Sequence, residues 1–141
     1  MRIDDGHSTT ISFADFPTVK FWEKEVTPPG VDGGGPNDTT TMRNVILRTM
    51  APKKLKTMTE MTFTAAYDPE ALQECFTMAN INQLLTVNFP DGSQWTFWGW
   101  LDKMIPDTIS EGSQPTATVT IQPSNQNASG VETIPIFTPA P

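Results

Sequence analysis

The chain is poor in the residue types that catalysis and metal binding rely on. One cysteine in 141 residues excludes an internal disulfide and a cysteine-based metal site, and one histidine, His7, excludes paired-histidine metal motifs. Charge is also scarce: charged residues make up 18% of the chain, against about 25% in ordinary soluble domains. Basic residues are the scarcer sign, 9 Lys and Arg against 16 Asp and Glu, for a net charge of −7. That balance argues against a free-standing nucleic-acid binder, whose footprint should be basic. No apolar run is long enough to span a membrane, and the uncharged stretch after Glu111 is Ser, Thr, Gln, Asn and Pro. Met1–Arg2–Ile3–Asp4–Asp5 lacks the apolar stretch of a signal peptide. The expectation is a soluble protein made in a cytoplasm, a single domain over residues 1–141. Its 37% hydrophobic content is enough for a core without staples. Hydroxyls and amides take the place of charge, and a Thr- and Pro-rich chain suits a β-protein whose outer surfaces meet other protein.

Apolar periodicity places the elements. His7–Ala14, around Ile11 and Phe13, and Thr18–Val26, with Val19 and Phe21 on one face and Lys20, Trp22 and Lys24 on the other, read as strands. Residues 27–41 then hold three prolines and four glycines with almost nothing to bury, which excludes strand and helix. A loop this long is either a floppy surface segment or one that orders when a partner covers it. Arg43–Met50 and Lys53–Ala66 read as further strands, the second with Met61, Phe63 and Ala65 on one face and a solvated Thr face opposite. Tyr67–Asp68–Pro69–Glu70 opens a helix: Asp68 caps it, Pro69 fits its first position and Glu70 suits the dipole. Leu72, Cys75, Phe76 and Ala79 supply its apolar stripe, and Asn80 its stop.

Gln83–Phe89 and Ser93–Ile105 form a hairpin about Pro90–Asp91–Gly92. Its second arm carries Trp95, Phe97 and Leu101 on one face and Trp98 and Trp100 on the other, so both faces should be covered, one by the core and one by something else. Gln114–Gln122 is the last clear strand. Residues 129–141, with their prolines, read as an extended arm outside the sheet.

No catalytic constellation emerges. Gly33–Gly34–Gly35 lacks the Lys-Ser/Thr and the helix of a phosphate loop. His7 has no motif around it, Cys75 lies on the buried helical stripe as an inert thiol, and no serine sits between nucleophile-elbow glycines. Arg43, Arg48, Lys53, Lys54 and Lys56 make up five of the nine basic residues, with no acid between Asp38 and Glu60. They read either as a solvated face balancing acids on a neighbouring subunit or as a phosphate-binding patch; no aromatics interleave with them, which disfavours the second. The features that remain point to assembly rather than to chemistry, with no cofactor and no metal.

Several short motifs occur in succession: Asp38–Thr39–Thr40–Thr41 with Asn44, Lys53–Lys54–Leu55, Tyr67–Asp68–Pro69, Phe89–Pro90–Asp91–Gly92–Ser93, Phe97–Trp98–Gly99–Trp100–Leu101, and Gly112 with Pro115–Pro123. In this order the chain resembles the major tail tube proteins of long-tailed, siphovirus-like bacteriophages; the first dozen residues and those after Ser129 carry no part of the resemblance. It implies a mainly β fold, a sandwich or barrel with one flanking helix, that contributes strands to an intersubunit barrel. It implies hexameric rings stacked into a tail tube that conducts DNA during ejection without binding it specifically, with other tail proteins (tape measure, terminator) as partners, no membrane, and the virion as location. The long loop, with Gly30, Val31, Asp32, Gly33, Gly34, Gly35, Asp38, Thr39 and Thr40, would order on polymerisation and reach the adjacent ring. Trp98, Trp100, Arg43, Arg48, Lys53 and Lys54 are the candidate subunit-interface residues, the cations facing interfaces rather than the bore. Two alternatives stand beside this reading: a tail terminator or the inner tube of a contractile tail, and a β-sandwich module that binds carbohydrate or protein through its tryptophans.

Overall fold

Strict apolar alternation builds the centre of the fold. The computed structural model describes residues 5–141, so the reading of Met1–Asp4 lies outside the described residues. Strands β1 (Thr10–Phe13), β2 (Trp22–Thr27), β7 (Met61–Ala66), β8 (Gln83–Asn88), β9 (Gln94–Pro106), β10 (Thr116–Pro123) and β11 (Ile136–Thr138) form one seven-stranded sheet. The main path runs β1-β8-β9-β10-β7-β2, and β11 pairs with β9 beside it; all pairings are antiparallel. One face carries Met61, Phe63, Leu85, Val87, Phe97, Leu101, Val119 and Ile121, all buried. Burying these side chains at about 25 cal/mol per Å² is the main favourable term.

The sheet curls around this core until its edges approach. The β1 amide of Ile11 donates to the Glu23 carboxylate of β2 at 3.3 Å, and Phe13, Phe21 and Phe63 stack edge-to-face across the gap, with centroids 5.9 and 5.3 Å apart. Helix α1 (Pro69–Met78) packs against this core. Asp68 caps it through the Glu70 amide at 3.0 Å, and the chain leaves through Asn80 in the left-handed region, φ 65°. The face it buries is Ala71, Cys75 and Met78; Phe76, expected on the inner stripe, is exposed. The apolar arc of this helix is wider than one stripe, and Cys75 against Met104 (3.5 Å) selects which part faces inward.

The β8–β9 hairpin forms as expected, with one refinement. Phe89 and Ser93 are hydrogen-bonded at 2.9 Å, so the connection is a three-residue loop closed by Gly92 at φ 91° rather than a two-residue turn.

Four expectations are corrected. Residues 27–41 contain β3 (Val31–Asp32) and β4 (Pro36–Asp38), paired with β6 (Thr57–Met58) and β5 (Met50–Pro52). Arg43–Thr49 is not a strand but the turn that joins β4 to β5, and Lys53–Ala66 is broken into β6 and β7 rather than continuous. The C-terminal segment does enter the sheet: β11 pairs Ile136, Phe137 and Thr138 with Thr96, Trp95 and Gln94. Prolines flank these three residues without occupying them, which leaves all three rungs open to pairing.

Candidate functional site

The segment between β2 and β7 is a two-stranded arm that continues the β2–β7 hairpin beyond the sheet. Pairing runs from Thr27 opposite Thr62, through Gly30 and Thr59 (amide to hydroxyl 2.7 Å), to Val31 opposite Met58. It breaks at Gly33–Gly35, where Gly34 and Gly35 adopt φ of 85° and 82° that an L side chain rarely takes. It then resumes from Pro36 opposite Pro52 to Asp38 opposite Met50. Thr39, Thr40 and Thr49 extend the ladder through their backbones and hydroxyls. Thr41 and Asn44 close the tip, the Asn44 side chain accepting from the Thr41 amide at 3.1 Å and donating to the Leu47 carbonyl at 2.8 Å. Within the chain, the segment is held together by its own backbone and side-chain hydrogen bonds.

The tip exposes what a solvated turn has no reason to carry. Met42, Val45, Ile46 and Leu47 are 103, 92, 87 and 76% exposed. An exposed apolar cluster of this kind is a candidate contact surface. Apolar alternation reads Arg43–Met50 as a strand, with Val45 and Leu47 on one side and Ile46 and Arg48 on the other, which hides Val45, Ile46 and Leu47 as a surface cluster; Met42 lies just before that strand. The available signal was the run Val45–Ile46–Leu47 between two arginines, with no alternation to bury it.

The arm gathers most of the candidate residues. Gly30–Gly35 form its root and bend, and Asp38, Thr39 and Thr40 its neck. Arg43 sits in the tip turn, and the Arg48 guanidinium lies 3.5 Å from the Asp38 carboxylate, both largely exposed. Hydrogen bonds from the Thr40 hydroxyl and amide hold the Asp38 carboxyl below its usual range. Lys53 and Lys54 stand across from the Gly33–Gly35 bend, outside any strand. None of these cations lies on a strand face.

Trp98 and Trp100 lie on a different surface, the outer face of the sheet, beside Leu84 and Gln122 on the neighbouring strands. Both indoles are half-buried within the single chain. Around them the outer face is mostly hydroxyl and amide: Thr62 and Thr64 on β7, Thr86 and Asn88 on β8, Thr116 and Thr118 on β10.

A hollow of about 600 Å³ opens at the root of the arm, between Val31 and Leu55 on the arm, Trp95 on β9 and Ile134 ahead of β11. The Trp95 and Phe137 rings, 6.4 Å apart, hold β11 beside it. Among the described residues no cluster of three or more His, Cys, Asp or Glu could hold a metal, and no helix is long and apolar enough to cross a membrane. Cys75 is buried, and burial together with the nearby Glu74 pushes its thiol up to about 11.

No protein-family model and no curated protein matches the chain. Solved structures do. A chain in the six-fold symmetrised cryo-EM structure of the anti-feeding prophage baseplate is similar over 82% of this chain and 87% of that one, with a TM-score of 0.58 at 8% identity. A chain in the virion of a native gene transfer agent particle is similar over 96% of this chain and 99% of that one, with a TM-score of 0.60 at 10% identity. The likeness is one of fold. This is a mainly β domain with an antiparallel sheet and one helix, the class that the sequence implied.

Proposed function

We propose that this chain is a structural subunit of a phage-type particle, and that it self-assembles into stacked hexameric rings forming a tail tube through which DNA passes. The observation that carries this reading is the fold shared along nearly the whole chain with a virion protein, 96% of this chain and 99% of that one. The arm supports it, since an exposed apolar tip on an ordered stalk suits contact with another copy. In this reading the arm, Gly30–Gly35 through Thr40, reaches the adjacent ring, and Trp98 and Trp100 are covered by a neighbour in the same ring.

Geometry is consistent with a tube. A bore passing duplex DNA needs a backbone barrel about 40 Å across, and strands tilted by about 40° then number roughly 20 to 24. Six subunits giving four strands each would close it. Electrostatics agree as well. Cations lining a bore would hold DNA by counterion release, whereas an acidic protein with hydroxyl-rich strand faces offers a wall that does not grip.

The similarity to a baseplate chain favours a second reading, a tail terminator, which forms rings without long stacks, or the inner tube of a contractile tail, which stacks as a tube does. Negative-stain electron microscopy of the concentrated protein separates these outcomes. Hollow rods are expected. Isolated rings favour the terminator, and monodisperse monomers that bind a glycan array would overturn both in favour of a carbohydrate-binding module.

A further inference from the structure

An aspartate followed by glycine is prone to rearrange, because glycine puts no side chain in the way when its amide nitrogen attacks the preceding carboxyl group. The chain holds three such pairs, Asp5–Gly6, Asp32–Gly33 and Asp91–Gly92. Asp5–Gly6 precedes every strand. The other two lie in turns of similar outline, since each carboxylate accepts from the amide two residues on, Gly34 at 2.8 Å and Ser93 at 2.9 Å. Such an Asx turn folds the carboxyl group back over the peptide it would attack through. The attacking groups differ. At Asp91 the Gly92 amide donates to the Phe89 carbonyl at 3.1 Å, and the carboxylate also accepts from the Ser93 hydroxyl at 2.6 Å. That hydroxyl first, and then the Ser93 amide, hold the Asp91 carboxyl below its usual range, in the ionised form that resists attack. At Asp32 the Gly33 amide is free. The Thr59 amide reaches the Gly30 carbonyl at 2.9 Å, so alternation along the antiparallel ladder points the Gly33 amide out of it. None of the hydrogen bonds among the described residues uses that amide. Both residues are exposed, and a Cβ built on Gly33 would meet nothing within 4 Å.

We propose that Asp32 is a site of spontaneous isoaspartate formation in the folded protein, and that the fold protects Asp91 from the same reaction. The Gly33 nitrogen attacks the protonated Asp32 carboxyl group at Cγ. A C–N bond forms, the amide proton is lost, and the C–O bond breaks to release water, which leaves a five-membered succinimide. Water then adds back. Opening at Cγ restores aspartate. Opening at the main-chain carbonyl breaks its bond to the Gly33 nitrogen, so the chain now runs through Cβ and Cγ and the former carbonyl becomes a free carboxylate. Water lost equals water gained, and neither mass nor charge changes. The product carries an extra main-chain methylene at the last rung of β3, where Asp32 pairs with Thr57, and so resets the bend between β3 and β4. This chemistry is independent of whether the chain assembles.

Ageing the full chain at mildly acidic pH tests the assignment, with the Asp32 and Asp91 peptides scored for isoaspartate by electron-transfer fragmentation mass spectrometry. In the folded protein the product should accumulate at Asp32 at least about tenfold faster than at Asp91. In urea the two rates should converge, because both pairs are Asp–Gly and only the fold separates them. Gly33→Ala meets no neighbour and no left-handed backbone, so it should keep the circular dichroism spectrum while losing the Asp32 product. Equal accumulation at the two sites in the folded protein would overturn the assignment. So would the absence of product at Asp32 where the urea sample shows it, a bias that persists in urea, or an unchanged rate in Gly33→Ala.

Discussion

Gly99 lies so close to Gln122 that a Cβ placed on it would meet the Gln122 carbonyl oxygen at 2.6 Å and the Pro123 Cα at 3.1 Å. It separates Trp98 from Trp100 at the point where β9 ends its pairing with β8 and begins that with β10. The neighbouring atoms are backbone and cannot move aside as a side chain would. Gly99→Ala should therefore destabilise the fold by about 1–3 kcal/mol, the usual cost of overpacking, read as a lower urea midpoint with an unchanged slope.

The Gly33–Gly35 bend should be separable from folding. It contributes no residue to the core. Deleting residues 33–35 re-aims the tip and should abolish rod growth, while the urea midpoint stays within about 0.5 kcal/mol of wild type, as for surface changes. Electron microscopy and denaturation of the same sample read both effects, and rods of normal length would remove the arm from the assembly contact.

Trp98 and Trp100 report on subunit packing. With Trp22 and Trp95 changed to Phe, acrylamide should quench the two remaining indoles partially in dilute protein, as befits half-buried rings, and much less after assembly. Identical quenching in both states would show that the outer face of β9 stays wet.

Cys75 gives stability a pH dependence with a definite sign. Burial first, then Glu74, raises its pKa from 9.0 to about 11, so the folded state holds the thiol proton more tightly than the unfolded chain does. The contribution is complete below pH 9 and fades as pH climbs through about 11. Wild type should therefore lose more stability than Cys75→Ala across that window in matched thermal melts, with other alkaline groups cancelling in the comparison. At pH 8 the native thiol should react slowly with a disulfide reagent and rapidly once unfolded.

The legible parts of the fold were those where side chains alternate against a core or a punctuating residue has one use. Met61, Phe63 and Ala65, the β8–β9 hairpin, β10, and the Asp68–Pro69 cap all fall in that group. The arm was illegible for a physical reason. Apart from Met58 its strands bury no side chain and pair through backbone groups, so periodicity has little to register, and its glycines and prolines read as loop although they only bend and interrupt a ribbon. The turn Arg43–Thr49 reads as a strand because Val45 and Leu47 are apolar, yet they are exposed. Phe76 shows the same limit on the helix, where several apolar residues compete and only the tertiary contact of Cys75 with Met104 selects the inner face. Of the candidate site, the location of the arm was readable and its tip was not.

Pro36 faces Pro52 across the arm, and neither residue has an amide proton to give. That rung is a joint: the distal half of the ribbon can tilt there without sacrificing a ladder bond. In the proposed assembly, a load carried by the arms would bend them at this rung before it strained the sheet.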